Sequence, residues 1–278
     1  MNFFRIKKIN FVLIMLPYIL WILLFIVIPM LLIVYYSFTN PEHKFTLENI
    51  LKTGKFYIVF LKSIWLSMIS TVICFILGYP MAYFISKTDE KTQNITIIFL
   101  MIPTWMSFLL RTFAWMTILE NNGLLNSFLN FLHLPKLYLI NTTSAVIIGM
   151  VYNFLPYMII PITTVLSKIS KNLIEAAQDL GANKFQILLK IIFPLSLPGI
   201  ISGVTMVFAP AVSTFVISKM LGGGSNLLIG DLIEMQFLGN FYNPYFGSAI
   251  SLILIIIIFA CLSIMNKFGN KGGKNIIV

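Results

Sequence analysis

Along the chain, apolar positions gather into six unbroken stretches, residues 11–36, 63–86, 95–119, 142–167, 195–218 and 243–266. Each is long enough to cross a hydrocarbon layer as a helix, for which about 20 residues suffice. Their continuity predicts helices, because the strands of a membrane barrel are short and alternate lipid-facing with lumen-facing residues. Five of the six carry no charged residue, and the third carries Arg111. The first stretch follows Arg5, Lys7 and Lys8 as a signal peptide would. It is too long for one and lacks a small-residue cleavage site, so it is expected to remain as a permanent span.

Composition agrees. Of 278 residues, 59% are hydrophobic and 10% charged, and the mean hydropathy of +0.94 is more apolar surface than a water-soluble core can hide. The expectation is an all-α integral membrane protein with six transmembrane helices. It is expected to form one membrane domain over residues 1–278, since no segment between spans is large enough for a separate soluble domain. Cys74 and Cys261 both fall inside spans, where they read as small packing residues rather than a disulfide framework.

The net charge of +10 changes the picture through its distribution. Six spans put both termini on one side, and that side holds twelve of the nineteen Lys and Arg residues against six on the other, with Arg111 within a span. Basic residues favour the cytoplasmic face, so both termini are expected there. The charge is then a topology signal, and no nucleic-acid partner is expected.

This orientation leaves one sizeable cytoplasmic segment, residues 168–194. Asn172 can cap a first short helix there, with Glu175 three residues on completing a capping-box pattern. Leu173, Ala176, Ala177 and Leu180 fall on one narrow apolar face. Gly181 supplies a left-handed stop, Asn183 can start a second helix, and Pro194 with Pro198 is expected to interrupt it before the fifth span. Periodicity alone leaves two readings open, an amphipathic connector lying on the membrane or a docking helix.

The residue pattern of this segment resembles the signature of ABC-importer permeases: Glu-Ala-Ala, three residues, Gly, nine residues, Ile, one residue, Leu-Pro. It stands here as Glu175-Ala176-Ala177, Gly181, Ile191 and Pro194, with Phe193 where the family usually has Leu. The resemblance implies a type I ABC-importer permease fold. It also implies that 168–194 is a coupling loop, through Glu175, Ala176, Ala177, Asp179, Gly181 and Pro194, to a pair of cytoplasmic ATP-binding subunits. The chain has no Gly-x-x-x-x-Gly-Lys-Ser/Thr loop of its own, so ATP and magnesium are expected on the partner ATPase, with no cofactor or metal in this chain and no catalysis by it.

Further segments, Leu77-Gly-Tyr-Pro-Met-Ala-Tyr-Phe84, Leu155-Pro-Tyr-Met158, Pro198-Gly-Ile-Ile-Ser-Gly203 and the glycine-rich run from Leu221 to Gly230 among them, resemble the PotB-type permease family of spermidine/putrescine importers. Related permeases for iron, phosphonates or sulfate share parts of these segments. The resemblance implies a polyamine importer of the bacterial inner membrane, with a second, homologous permease and an extracytoplasmic polyamine-binding protein.

No span contains Asp or Glu, which argues for a substrate route lined by Tyr, Trp, Ser, Thr, Asn and carbonyl groups. Outside the fifth span, Asp231 and Glu234 share a face if that stretch is helical. They either draw a cation to the outer mouth or form a solvated surface. The glycines around them, Gly222 to Gly224 and Gly230, are either a hinge or a turn. Arg111 either snorkels to the interface or contacts a gate. Pro103, Pro156, Pro161 and Pro210 are expected to bend their helices. An ion-coupled carrier would need an intramembrane Asp, Glu or His, whereas His43 and His133 both lie outside the spans. An uncoupled channel leaves the 175–194 pattern unexplained, an intramembrane enzyme lacks a metal motif or acid/base pair, and a purely structural scaffold is left open.

Overall fold

The computed structural model describes residues 8–274 except 225 and 240; the flanking cations Arg5 and Lys7 lie outside the described residues. Among the described residues the regular structure is helical, with one lone bridge between Thr39 and Phe45. The chain divides into two compact units, residues 1–56 with 233–255, and residues 57–232 with 256–278.

In the first unit, α1 (Lys8–Ile22) and α2 (Ile28–Ser37) are joined by a π-helical turn, Leu23–Val27. The turn comes immediately before Ile28-Pro29, and the Ile28 amide reaches back five residues to the Leu23 carbonyl. A proline ring clashes with the carbonyl four residues back in an α-helix, and the widened turn relieves that clash without ending the span. From Leu16 to Val34 the apolar side chains are largely exposed, as lipid-facing residues are. After α3 (Glu48–Thr53), Asn49 donates to the Thr39 carbonyl at 2.9 Å and closes the intervening loop.

The second unit carries the main core. Its α4 (Tyr57–Ser86) packs with two helices introduced below, and with its Cys74 and Ala82 wholly buried it forms one wall. The expected third span is not one rod. Helix α5 (Glu90–Trp105) meets the stretch Phe108–Phe131, which opens with α6 (Phe108–Leu119), at an angle of 86°. Pro103 lies in the last turn of α5, and Met106 and Ser107 are extended. Of the four prolines expected to bend helices, Pro103 and Pro210 each lie in the last turn before their helix ends. A short α7 (Leu124–Phe131) follows, and then α8 (Thr143–Leu166), which runs unbroken through Pro156 and Pro161.

Beyond α8 come α9 (Lys171–Asp179), α10 (Lys184–Ile187), a second π-helical turn Leu188–Ile192, and α11 (Phe193–Ser213). Pro194 and Pro198 do not interrupt this stretch, contrary to expectation. The π turn precedes Phe193-Pro194 as the first one precedes Ile28-Pro29, and the Phe193 amide reaches Leu188. Helix continues from Lys184 to Ser213. Next are α12 (Val216–Leu221), α13 (Ile229–Phe237) and α14 (Pro244–Lys274). With the bent pair taken as one span, the described helices give the six spans expected.

Helices α4, α8 and α11 form the centre, around the fully buried Met150, Met158, Ile159 and Ile162 of α8. In lipid there is little hydrophobic drive between helices, and small residues at the contact allow the backbones to close up. A Cβ added at Gly203 of α11 would sit 2.8 Å from the Met158 sulfur and 3.1 Å from the Met158 carbonyl oxygen. Polar groups link α4 to α11, with the Tyr79 and Ser196 hydroxyls 3.2 Å apart.

Gly203→Val is therefore expected to destabilise the folded chain by on the order of 1–3 kcal/mol through overpacking, seen as a lower midpoint in thermal unfolding in detergent. Gly54→Ala, which meets nothing within 4 Å, should leave the midpoint unchanged.

Candidate functional site

Residues 168–194 fold locally for identifiable reasons. Helix α9 begins at Lys171 with Ser170 as N-cap, two residues before the Asn172 cap expected from sequence, and no side chain caps it. Its end is a Schellman motif: Gly181, at φ +81°, donates to the Gln178 carbonyl and Ala182 to the Ala177 carbonyl. A true capping box then opens α10. Asn183 accepts from the Gln186 amide at 2.8 Å, and the Gln186 side chain accepts from the Asn183 amide at 3.0 Å.

Burial splits the predicted apolar face. Ala177 is buried, and with half-buried Ile174 it packs on the cluster that holds Leu166, Ile187 and Ile192. Leu173, Ala176 and Leu180 point away from the chain, Leu180 being 89% exposed. Glu175, Asp179 and Gly181 are exposed too, while Ile191 and Pro194 are half-buried in the rod leading to α11. The loop thus holds one side of α9 against its own core and leaves Leu173, Ala176 and Leu180 uncovered, flanked by two carboxylates.

The segment between α12 and α13 is tied down by hydrogen bonds from several helices. Gly223 and Gly224 both have positive φ in a tight turn after α12. Asn226 accepts from the Lys62 ammonium at 2.8 Å and from the Thr143 hydroxyl at 3.0 Å, tying the turn to the starts of α4 and α8. Asp231 is 4% exposed. It accepts from the Ser218 hydroxyl at 2.9 Å and the Leu228 amide at 2.7 Å, while the Ile229 amide donates to the Ser63 hydroxyl at 2.9 Å. The start of α13 is therefore satisfied by a serine from a distant helix and by its own third residue. Glu234 is half-buried on the same helix, so the two acids do share a face.

Arg111 is 7% exposed, its guanidinium carbon lies 5.7 Å from the centre of the Phe108 ring, and its Nε has no hydrogen-bond partner. Phe108 in turn stacks on Phe154 at 6.4 Å. The break between α5 and α6 places Arg111 one turn inside a helix start, where its side chain folds back over Phe108. Sequence reasoning missed Ser63, Ser218 and Asn226, whose partners lie 166, 13 and 164 residues away and leave no local pattern. Among the described residues, no group of three His, Cys, Asp or Glu side chains could hold a metal ion.

Residues 74–268 match the family described as binding-protein-dependent transport system inner membrane components. The chain is 39% identical over 247 residues to the spermidine/putrescine transport system permease protein PotB of Escherichia coli K12, covering 85% of this chain and 90% of that protein. The protein of the same name from Haemophilus influenzae is 36% identical, over 85% of this chain and 86% of its own length. Among solved structures, a chain of a bacterial ABC transporter involved in import of the acidic polysaccharide alginate superposes with a TM-score of 0.78 at 17% identity, over 93% of this chain and 94% of that one. A chain of the inward-facing MetNI methionine ABC transporter gives a TM-score of 0.58 at 15% identity, over 78% and 95%. Both show the same fold.

Because the conformation of Gly181 is left-handed, Gly181→Ala should destabilise the end of α9 by roughly 1 kcal/mol. Hydrogen exchange should report it as faster exchange at the Ala182 amide, with amides in α8 unaffected.

Proposed function

We propose, for a chain that belongs to the family of binding-protein-dependent transport system inner membrane components, that it is the permease subunit of an ATP-driven polyamine importer and forms half of the translocation pathway. The observation that carries the substrate is the identity of 36–39% over 85% of the chain to proteins named as spermidine/putrescine permeases. The fold does not choose the substrate, since a chain of an alginate transporter shares it.

In this reading residues 1–278 act as one permease domain of the bacterial inner membrane, with both termini cytoplasmic. A second, homologous permease completes the pathway, and an extracytoplasmic binding protein delivers the polyamine. ATP and magnesium sit on a pair of separate ATP-binding subunits. Loop 168–194 couples to them: Leu173, Ala176 and Leu180 seat in the ATPase, Glu175 and Asp179 rim the contact, Ala177 holds the helix to its own core, and Gly181 sets the bend. ATPase closure pushes α9. The motion passes through Ile191 and Pro194 into the helical run from Lys184 to Ser213, about 45 Å long at 1.5 Å per residue, and exchanges inward for outward opening. Asp231, Glu234 and Arg111 belong to the outer gate in this account, Asp231 by holding the turn at 222–228 in place.

Leu180→Glu puts a charge into the apolar contact without touching the core. Spermidine uptake by cells carrying the whole transporter should fall at least about tenfold, while the amount of permease in the membrane stays constant. Unchanged uptake would remove α9 as the coupling element.

A further inference from the structure

A second concave site lies at the end of α11 far from the coupling loop. It is a groove of about 620 Å³ between α6, α8 and α11, lined by Phe108, Phe154, Tyr157, Met206, Pro210 and the residues from Ser213 to Val216. The size is that of a small-molecule pocket, and its walls are mainly aromatic and aliphatic.

Two of its lining residues have an unusual backbone. An α-helical carbonyl accepts from the amide four residues on, and proline has no amide hydrogen. Pro161 therefore deprives the Tyr157 carbonyl of its helical donor, and Pro210 does the same to the Met206 carbonyl. Both residues line this one groove. Helix α11 also ends here, with Thr214 extended and no cap amide bonded back, so the partial negative charge of its last turn falls at the same place. The Ser213 hydroxyl is turned onto the Ala209 and Pro210 carbonyls at 3.2 and 3.4 Å and does not neutralise it.

Ring faces add to this. Tyr157 is half-buried, and Phe215, 38% exposed, stands at the groove's edge. Phe108 is different, because Arg111 already lies over its ring at 5.7 Å, and Phe154 backs onto Phe108. Arg111 thus sits against the Phe108 wall without itself lining the groove, while the α11 end gathers Tyr157, Met206 and Phe215 with no carboxylate among the lining residues.

We propose that the α11 end of this groove is an ammonium subsite, in which one protonated amine of a linear polyamine is held by the Tyr157 and Met206 carbonyls and the rings of Tyr157 and Phe215, its alkyl chain running along Met206. The proposal rests on the reading of the chain as a polyamine permease and adds where the substrate pauses. A neutral acceptor set suits a transporter, since a cation held without a full counter-charge can leave again. Arg111 limits how far a second amine can advance towards Phe108.

Pro210→Ala gives the Met206 carbonyl back its helical donor at an exposed position, so it should strengthen the helix while weakening the subsite. Phe215→Leu removes a ring face and keeps an apolar side chain, and Phe215→Tyr keeps the face. Binding of radiolabelled spermidine is measured on the membrane assembly of both permeases and the ATPases in nanodiscs, alongside uptake with the binding protein. Pro210→Ala and Phe215→Leu are each expected to weaken spermidine binding about tenfold with the assembly intact and the Pro210→Ala unfolding midpoint not lowered, and Phe215→Tyr to bind like the parent. Parent-like binding in both weakened variants, or Phe215→Tyr as poor as Phe215→Leu, overturns the subsite. Loss of the second permease from Phe215→Leu preparations also overturns it, by marking the groove as a contact between permeases. A parent assembly that imports a different solute and no polyamine overturns the substrate reading itself, whereas polyamine import by the parent with indifferent variants overturns the subsite alone.

Discussion

Inside a hydrocarbon layer, water does not replace a backbone hydrogen bond that the chain gives up, so each missing donor or acceptor has to be handled by the protein. That constraint runs through this structure. Two spans carry a π-helical turn placed immediately before a proline, at Pro29 and Pro194. The start of α13 has its amides taken by Ser63 from α4 and by Asp231 of the same helix. Helix α8 passes Pro156 and Pro161 without such a turn, whereas the span beyond Pro103 breaks at Met106 and Ser107. Pro161 and Pro210 leave carbonyls without helical donors, and both of those carbonyls belong to residues around a single groove.

The same constraint gives loop 168–194 its mechanical continuity with the core. A helix that stopped at Pro194 would separate the loop from the core. The π turn keeps it continuous, so α10 and α11 form one lever whose inner end is fixed by the Asn183–Gln186 capping box and by Gly181. The core at the other side of that lever is packed through Gly203 against Met158, close enough that movement of α11 must be felt by α8.

Much of this was legible in the sequence. Apolar length located the first, fourth and sixth spans to within a few residues and the others by their apolar centres, while the second and fifth helices start 15 and 11 residues earlier than expected, and the Glu175 to Pro194 spacing marked out the loop. Gly181 and Asn183 do what their chemistry predicts. What escaped was non-local or compensated. Pro194 and Pro198 read as breaks since the sequence does not announce a π turn, and the bend beyond Pro103 looks no different in sequence from the straight passage through Pro156. The contact of Arg111 with Phe108 follows the break at 106–107, which the sequence does not announce. The tie from Lys62 to Asn226 spans 164 residues, beyond any periodicity. Asp231 was singled out as an acid, but its place as a buried acceptor for Ser218 and Leu228 depends on a turn that only the folded chain defines.

The central claim is that this chain moves polyamines by coupling to a separate ATPase. It is tested most directly by loading vesicles that contain the permease, its partner permease and the ATP-binding subunits with ATP, and following radiolabelled spermidine in the presence of the binding protein. The account predicts uptake that requires ATP hydrolysis and survives collapse of the ion gradients. Uptake that follows an ion gradient and ignores ATP would contradict it.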